Sequence, residues 1–187
     1  LFFVQVYFKL KVLPFIIIIL FSLFFYAYDN YKFLFLLLFS ISVNYFFSLK
    51  IDNSKKKITK KLILSFLIIF NLIILFYFKY LNFFIENLSI FFSKNINYIE
   101  IYLPLAISFF TFQQISYQID NFRIKQKKSI ISYLLYVSFF PQLIAGPIIR
   151  YSHFLNEVVK EKFLNIDHKN LSIGLSIIVL GLFKKVV

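Results

Sequence analysis

Between Leu103 and Arg150 the chain sets Gln113, Gln114, Asp120, Gln142 and Arg150, with the helix breakers Pro141, Gly146 and Pro147, inside otherwise apolar segments. Hydrocarbon penalises unpaired polar groups and interrupted backbone, so these residues need partners or a purpose. Offsets of four and three put Gln113, Tyr117 and Asp120 on one helical face, with Gln114 and Ser116 beside them. Such a face has two uses. It can clamp a neighbouring helix through hydrogen bonds, with Asp120 capping or pairing with a basic neighbour, or it can line a wet cavity. In Phe139–Arg150, FFPQLIAGPIIR, Pro141 removes a backbone donor and Gly146–Pro147 repeats the break. The freed carbonyls must be buried in protein or line a water-filled path. Arg150, just past the second break, is placed to bind an anionic group or to pair with Asp120. Alternatively, this is a kinked packing helix whose arginine snorkels to the interface.

Other chemistries find no support. His153 and His168 stand in a polar stretch without metal-spaced partners, so both read as surface histidines and no metal site is expected. No Ser-His-Asp arrangement, phosphate-binding loop or GxGxxG is present. The chain has no cysteine, which excludes disulfides and thiolate chemistry within it. Its net charge of +13 raises nucleic acid as a partner. The Lys and Arg residues instead fall in short loops between apolar spans, where they set membrane orientation, so no nucleic acid is expected and the lipid bilayer is.

The elements that must carry these residues are membrane helices. The chain is 60% hydrophobic and only 16% charged, against about 45–50% and about 25% in soluble domains. The fold class expected is all-α: a polytopic transmembrane helical protein with a broken or re-entrant helix. One transmembrane domain covers 1–187, with spans near 12–28, 33–49, 62–78, 103–119, 130–147 (broken) and 171–187 (truncated). Leu1–Lys11 is too short and mixed to assign. Ser40, Ser42 and Asn44 in the second span can bond to a neighbouring helix. The segment Phe83–Ile101, with Glu86, Asn87 and Glu100 among aromatic pairs, fits an interfacial helix better than a crossing. Lys50–Lys61 and Asn121–Ser129 are basic loops separated by two crossings, so they fall on one side, the cytoplasmic one. No cleavable signal peptide is recognisable. The absence of methionine and the short last helix read as an internal fragment.

LPLAISFFTFQQISYQID followed by FFPQLIAGPIIR resembles the paired motif of membrane-bound O-acyltransferases (MBOAT), specifically the alginate O-acetyltransferase-like branch. SLFFYAYDNYKFLFLLLFSISVNYFF, FKYLNFF and GLFKKVV resemble further landmarks of that branch, so the resemblance covers nearly the whole chain. One departure is Ala106, where the branch has glycine; the expectation is a slightly altered helix. The resemblance implies a multi-span protein of the bacterial inner membrane with a central funnel. It passes an acyl group, here an acetyl group, from a cytoplasmic thioester such as acetyl-CoA to hydroxyls of an exported polysaccharide or to a periplasmic acetyltransferase partner. No cofactor is held. Gln113, Tyr117 and Asp120 would line or brace the funnel, and Pro141, Gln142, Gly146, Pro147 and Arg150 would form its broken wall. The family's catalytic histidine lies in a tryptophan-containing motif that nothing here matches, so the stretch is expected to be inactive alone. A membrane transporter and a non-catalytic structural subunit remain as alternatives; transporters often show internal repeats, and this chain shows none.

Overall fold

A computed structural model describes residues 2–92, 99–124, 129–159 and 168–186. Among them the chain is helical: α1 Phe2–Asp29, α2 Tyr31–Asn53, α3 Lys57–Leu75, a π-helical turn Phe76–Tyr80, α4 Leu81–Phe92, α5 Ile107–Arg123, α6 Ile130–Ser138, α7 Phe140–Ala145, α8 Tyr151–Val159 and α9 His168–Val186. It divides into two compact units, 1–151 and 152–187. In the second, α9 exposes its apolar side chains, and nothing lies within 4 Å of a Cβ built on Gly174 or Gly181.

Several boundaries differ from those read off hydropathy, and each has a local cause. The first helix begins at Phe2 and continues through Pro14. The polar connection Asp29–Lys32 shrinks to Asn30 alone, whose Oδ1 accepts from the Lys32 N–H at 3.0 Å and so caps α2. The basic loop shrinks to Ser54–Lys56, because α2 runs on to Asn53 and α3 starts at Lys57.

The largest difference concerns the interfacial helix expected over Phe83–Ile101. Lys79, Tyr80 and Asn82 do not end the third helix; a π turn absorbs them and α4 continues to Phe92. No proline or glycine stands there to stop it, and side-chain polarity alone does not break a helix. Lys57–Phe92 is thus one helical run of 36 residues, about 54 Å at 1.5 Å per residue, against about 30 Å of hydrocarbon. Residues 93–98 of the expected interfacial segment lie outside the described residues. The chain then returns to this run: Asn82 Nδ2 donates to the Ile99 carbonyl at 2.8 Å, and the Ile99 N–H donates back to Asn82 Oδ1 at 3.3 Å.

Tyr31–Asn53 and Lys57–Phe92 are long and apolar enough to cross a membrane, and Leu13–Tyr28 is a shorter apolar stretch. In the first unit α2 packs against α1, α3, α5 and α6, while α5 packs against α2, α3, α6 and α7. The core therefore lies along α2 and α5. Both carry unusual polarity for such a position.

Candidate functional site

The helix that carries most of the candidate residues, α5, is set up by a bend at its start. Leu103–Ala106 is not helical, and Ala106 sits at φ 54°, the left-handed region, immediately before Ile107. A Cβ is disfavoured there, which is the physical reason a glycine suits this position. Ala106 therefore alters the turn before the helix and not the helix itself, as the sequence had suggested. Tyr26 OH on α1 donates to the Leu105 carbonyl at 3.0 Å and holds the bend in place. Lys79 Nζ in the π turn donates to Ser108 Oγ at 3.1 Å one turn later.

From there α5 presents three faces. On the first, Gln114, Gln118 and Asn121 meet Ser40, Asn44 and Ser48 of α2. Gln114 Nε2 donates to Ser40 Oγ at 3.0 Å, Gln118 Nε2 to the Asn44 carbonyl at 2.9 Å, and Asn121 Nδ2 to the Ser48 carbonyl at 3.4 Å. These partners are 74, 74 and 73 residues apart, so the two helices run parallel. Their C-terminal ends therefore lie together; residues 125–128 of the second basic loop lie outside the described residues. Asn44 extends the ladder to α3 through reciprocal bonds with Asn71 at 2.9 and 3.2 Å. All seven side chains are buried. Of the hydroxyls and amides expected on α2, Ser40 and Asn44 reach across, whereas Ser42 bonds back to its own Leu38 carbonyl at 2.7 Å.

The second face holds two of the predicted site residues, Gln113 and Tyr117, against α6. Gln113 Nε2 donates to the Tyr136 carbonyl at 3.4 Å. The Tyr117 ring lies 4.5 Å from Tyr133 and 4.8 Å from Tyr151; Tyr151 in turn meets Tyr136 edge-on at 5.3 Å, and Tyr133 stacks on Tyr45 at 5.8 Å. Tyr117, Tyr133, Tyr136 and Tyr151 are all fully buried. Gln113 pairs with residue 136 and Tyr117 with 133, so α6 runs antiparallel to α5. This tyrosine cluster was not anticipated. Its only sequence trace is the spacing of three in Tyr133–Tyr136, unremarkable among 13 tyrosines.

The third face, opposite the ladder, is open. Phe112, Ile115, Ser116, Ile119, Asp120 and Arg123 recur at helical spacing and, with Ile148 and Arg150, line a cleft of about 390 Å³. Asp120 Oδ2 is buried and accepts no hydrogen bond from the described residues. Both arginines are exposed, and no ion pair joins Arg150 to Asp120, although they share the cleft.

Arg150 reaches that position because the chain turns back. Helix α6 ends at Ser138, and Phe139 (φ −58°, ψ 102°) breaks the backbone. Pro141 then falls in the first turn of α7, where its missing N–H costs nothing. It begins a new short helix and does not kink a long one. Phe140 stands beside α1, its ring 5.3 Å from Phe25 and its N–H 3.5 Å from Ser22 Oγ. After Gly146 the strand-like segment returns along α5, bringing Ile148 and Arg150 beside Ser116–Asp120 and Tyr151 onto Tyr117. Freed carbonyls are caught by side chains: Gln142 Nε2 donates to the Pro147 carbonyl at 3.1 Å, and Tyr136 OH to the Ile149 carbonyl at 2.7 Å. Gly146 is needed for space. A Cβ there would lie 2.7 Å from Gln142 Cα and Cγ and 2.8 Å from its carbonyl oxygen. Of the predicted residues only Asp120 and Arg150 therefore line the cleft; Gln142 and Gly146 shape the return that delivers Arg150, with Pro147 accepting the Gln142 bond. His153 and His168 are exposed, in the second unit.

Residues 120–187, from Asp120 through the returning segment, match the model of the membrane-bound O-acyltransferase family. A peptidoglycan O-acetyltransferase of Helicobacter pylori is 38% identical in an alignment covering 100% of this chain and 40% of that protein. Proteins named probable alginate O-acetylase AlgI are 32% identical in Pseudomonas aeruginosa, over 76% of this chain and 29% of the relative, and 30% identical in Pseudomonas syringae, over 91% and 34%. The chain thus spans less than half the length of these relatives. No solved structure matches it. With a buried polar helix, a re-entrant segment built on Pro141–Pro147 and relatives along its whole length, the chain belongs to the membrane-bound O-acyltransferase family, an all-helical, membrane-integral one.

Proposed function

We propose that this chain forms the donor-facing part of a multi-pass O-acetyltransferase of the bacterial cytoplasmic membrane. The enzyme takes acetyl from a cytoplasmic thioester, such as acetyl-CoA, to a hydroxyl of an exported cell-wall glycan, directly or through a periplasmic acetyltransferase. The observation that carries this reading is the cleft at the C-terminal half of α5. It joins an apolar wall to Arg123, Arg150 and Asp120, at the end of the bundle where Lys50, Lys55, Lys56 and Lys57 also gather. By the positive-inside rule that end faces the cytoplasm, where a polyanionic thioester donor is available. The guanidiniums offset phosphate charge, Asp120 offers an acceptor to an amide N–H of the donor's arm, and Phe112, Ile115 and Ile119 offer an apolar wall to its alkyl part. In the transfer the acceptor oxygen bonds to the acetyl carbon, the carbon–sulfur bond breaks, and the hydroxyl proton ends on the thiolate. The peptidoglycan-modifying relative aligns with the whole chain and the alginate-modifying ones with less of it, which favours peptidoglycan as the acceptor.

The test is transfer of labelled acetyl from acetyl-CoA by membranes bearing the full-length protein, with peptidoglycan and alginate as separate acceptors. Arg150→Ala is expected to raise the donor KM about tenfold, equivalent to about 1.4 kcal/mol of lost binding, with insertion unchanged. Gln142→Ala is expected to lower transfer by loosening the segment that carries Arg150. Wild-type kinetics in both variants would remove the cleft from the reaction.

A further inference from the structure

Six buried oxygens on α5 have no hydrogen-bond partner among the described residues: the Tyr117 hydroxyl, which can itself donate, and five that need a donor, Thr111 Oγ1, Gln113 Oε1, Gln118 Oε1, Asp120 Oδ2 and Asn121 Oδ1. Thr111, Gln113, Gln118 and Asn121 are each at most 3% exposed. Rotating the amides does not help. The NH₂ groups of Gln113 and Asn121 already donate to carbonyl oxygens of Tyr136 and Ser48, and that of Gln118 to the Asn44 carbonyl. A flip would press oxygen against oxygen, since a carbonyl can only accept. Each orphaned acceptor costs about 1–3 kcal/mol, so five together reach the whole stability of an ordinary domain, about 5–15 kcal/mol. Lipid has no donor to offer.

We propose that α5 is flanked by bound internal waters that donate to these five oxygens. Water is the donor that fits: it is small, neutral and able to bridge two acceptors. The oxygens fall on two sides of the helix. Thr111, Gln118 and Asn121 face the ladder side, and Gln113 and Asp120 flank Tyr117 on the other, about 10 Å apart along the axis. Asp120 also lines the open cleft, so the Gln113–Asp120 file meets bulk water there. A wet seam therefore enters the bundle beside the tyrosine cluster. This inference does not depend on the acyltransferase reading.

X-ray hydroxyl-radical footprinting of the full-length protein in lipid nanodiscs tests it, because radicals form on the water next to the side chain they oxidise. Tyr117 is buried yet lies between the two oxygens, and its rate is normalised to that of the unfolded protein. The expected result is a Tyr117 rate close to that of exposed Tyr28 and several-fold above that of buried Leu37. In Gln113→Met the Tyr117 rate should fall several-fold while Tyr28 is unchanged. A wild-type Tyr117 rate no higher than that of Leu37 overturns the proposal, and so does an unaltered rate in a folded Gln113→Met. Should that variant misfold, seen as a rise at Leu37, the wild-type rate decides alone.

Discussion

Two regions of this bundle bury polar groups in an apolar setting, and they solve the problem in opposite ways. Along α2, α3 and α5 the backbone stays helical and satisfies itself, so the polar residues there are side chains meeting side chains or already-bonded carbonyls. Ser40, Asn44, Asn71, Gln114 and Gln118 cross-link regular helices at a fixed register. In the returning segment at 139–150 the backbone itself is broken, and single side chains such as Gln142 and Tyr136 are spent on freed carbonyls. The first region could be replaced by apolar packing without leaving anything unpaired, because both partners can be removed. The second cannot, because one partner is the chain. Polar content alone therefore does not mark a working site; polar side chains committed to irregular backbone are the stronger sign.

This contrast can be broken by substitution. The largest effect is expected from Gly146→Ala, whose Cβ collides with Gln142 Cα and carbonyl as well as its side chain. Backbone atoms cannot step aside, so a loss at the upper end of the usual 1–3 kcal/mol for overpacking, about 3 kcal/mol, should appear as a lowered Tm in detergent and abolished transfer. Next, Asn44→Leu should cost about 1–3 kcal/mol by stranding Asn71 Oδ1. Adding Asn71→Leu should restore much of it, a non-additivity that a double-mutant cycle measures directly. Independent, additive losses would show that the ladder is not a coupled unit. Gln142→Leu should cost about 1 kcal/mol, since its site is partly open to solvent, and no second side-chain change should rescue it, because the Pro147 carbonyl stays. Rescue by an apolar neighbour would erase the distinction drawn between the regions. The smallest effect is a gain: Ala106→Gly relieves the left-handed strain before α5 and should stabilise the protein by up to about 1 kcal/mol.

Much of this was legible beforehand for identifiable reasons. Long apolar runs are read locally, so the helical class needed no tertiary information. Pro141 and Gly146–Pro147 announced a break, because proline and glycine act on their own backbone. The reading of Gln113, Tyr117 and Asp120 as one face was right in spacing and incomplete in consequence. Helical spacing says which residues share a side, and it does not say what stands opposite. Gln113 and Tyr117 turned to α6, Asp120 to the border of the cleft, and the amides that cross-link the helices were their neighbours Gln114, Gln118 and Asn121. Asn71, Tyr133, Tyr136 and Tyr151 were missed because a single polar residue, or an aromatic among 42 aromatic residues (13 Tyr and 29 Phe), carries no periodic signal.

By itself the sequence determined where helices form, where the backbone cannot continue one, and which end gathers positive charge. These depend on residues close along the chain. Only the tertiary structure decided that α5 runs parallel to α2 and antiparallel to α6, and that Arg150 returns beside Asp120. Those depend on contacts up to 118 residues apart, where the choice is made by which buried amide, hydroxyl and carbonyl can satisfy one another in the same small volume.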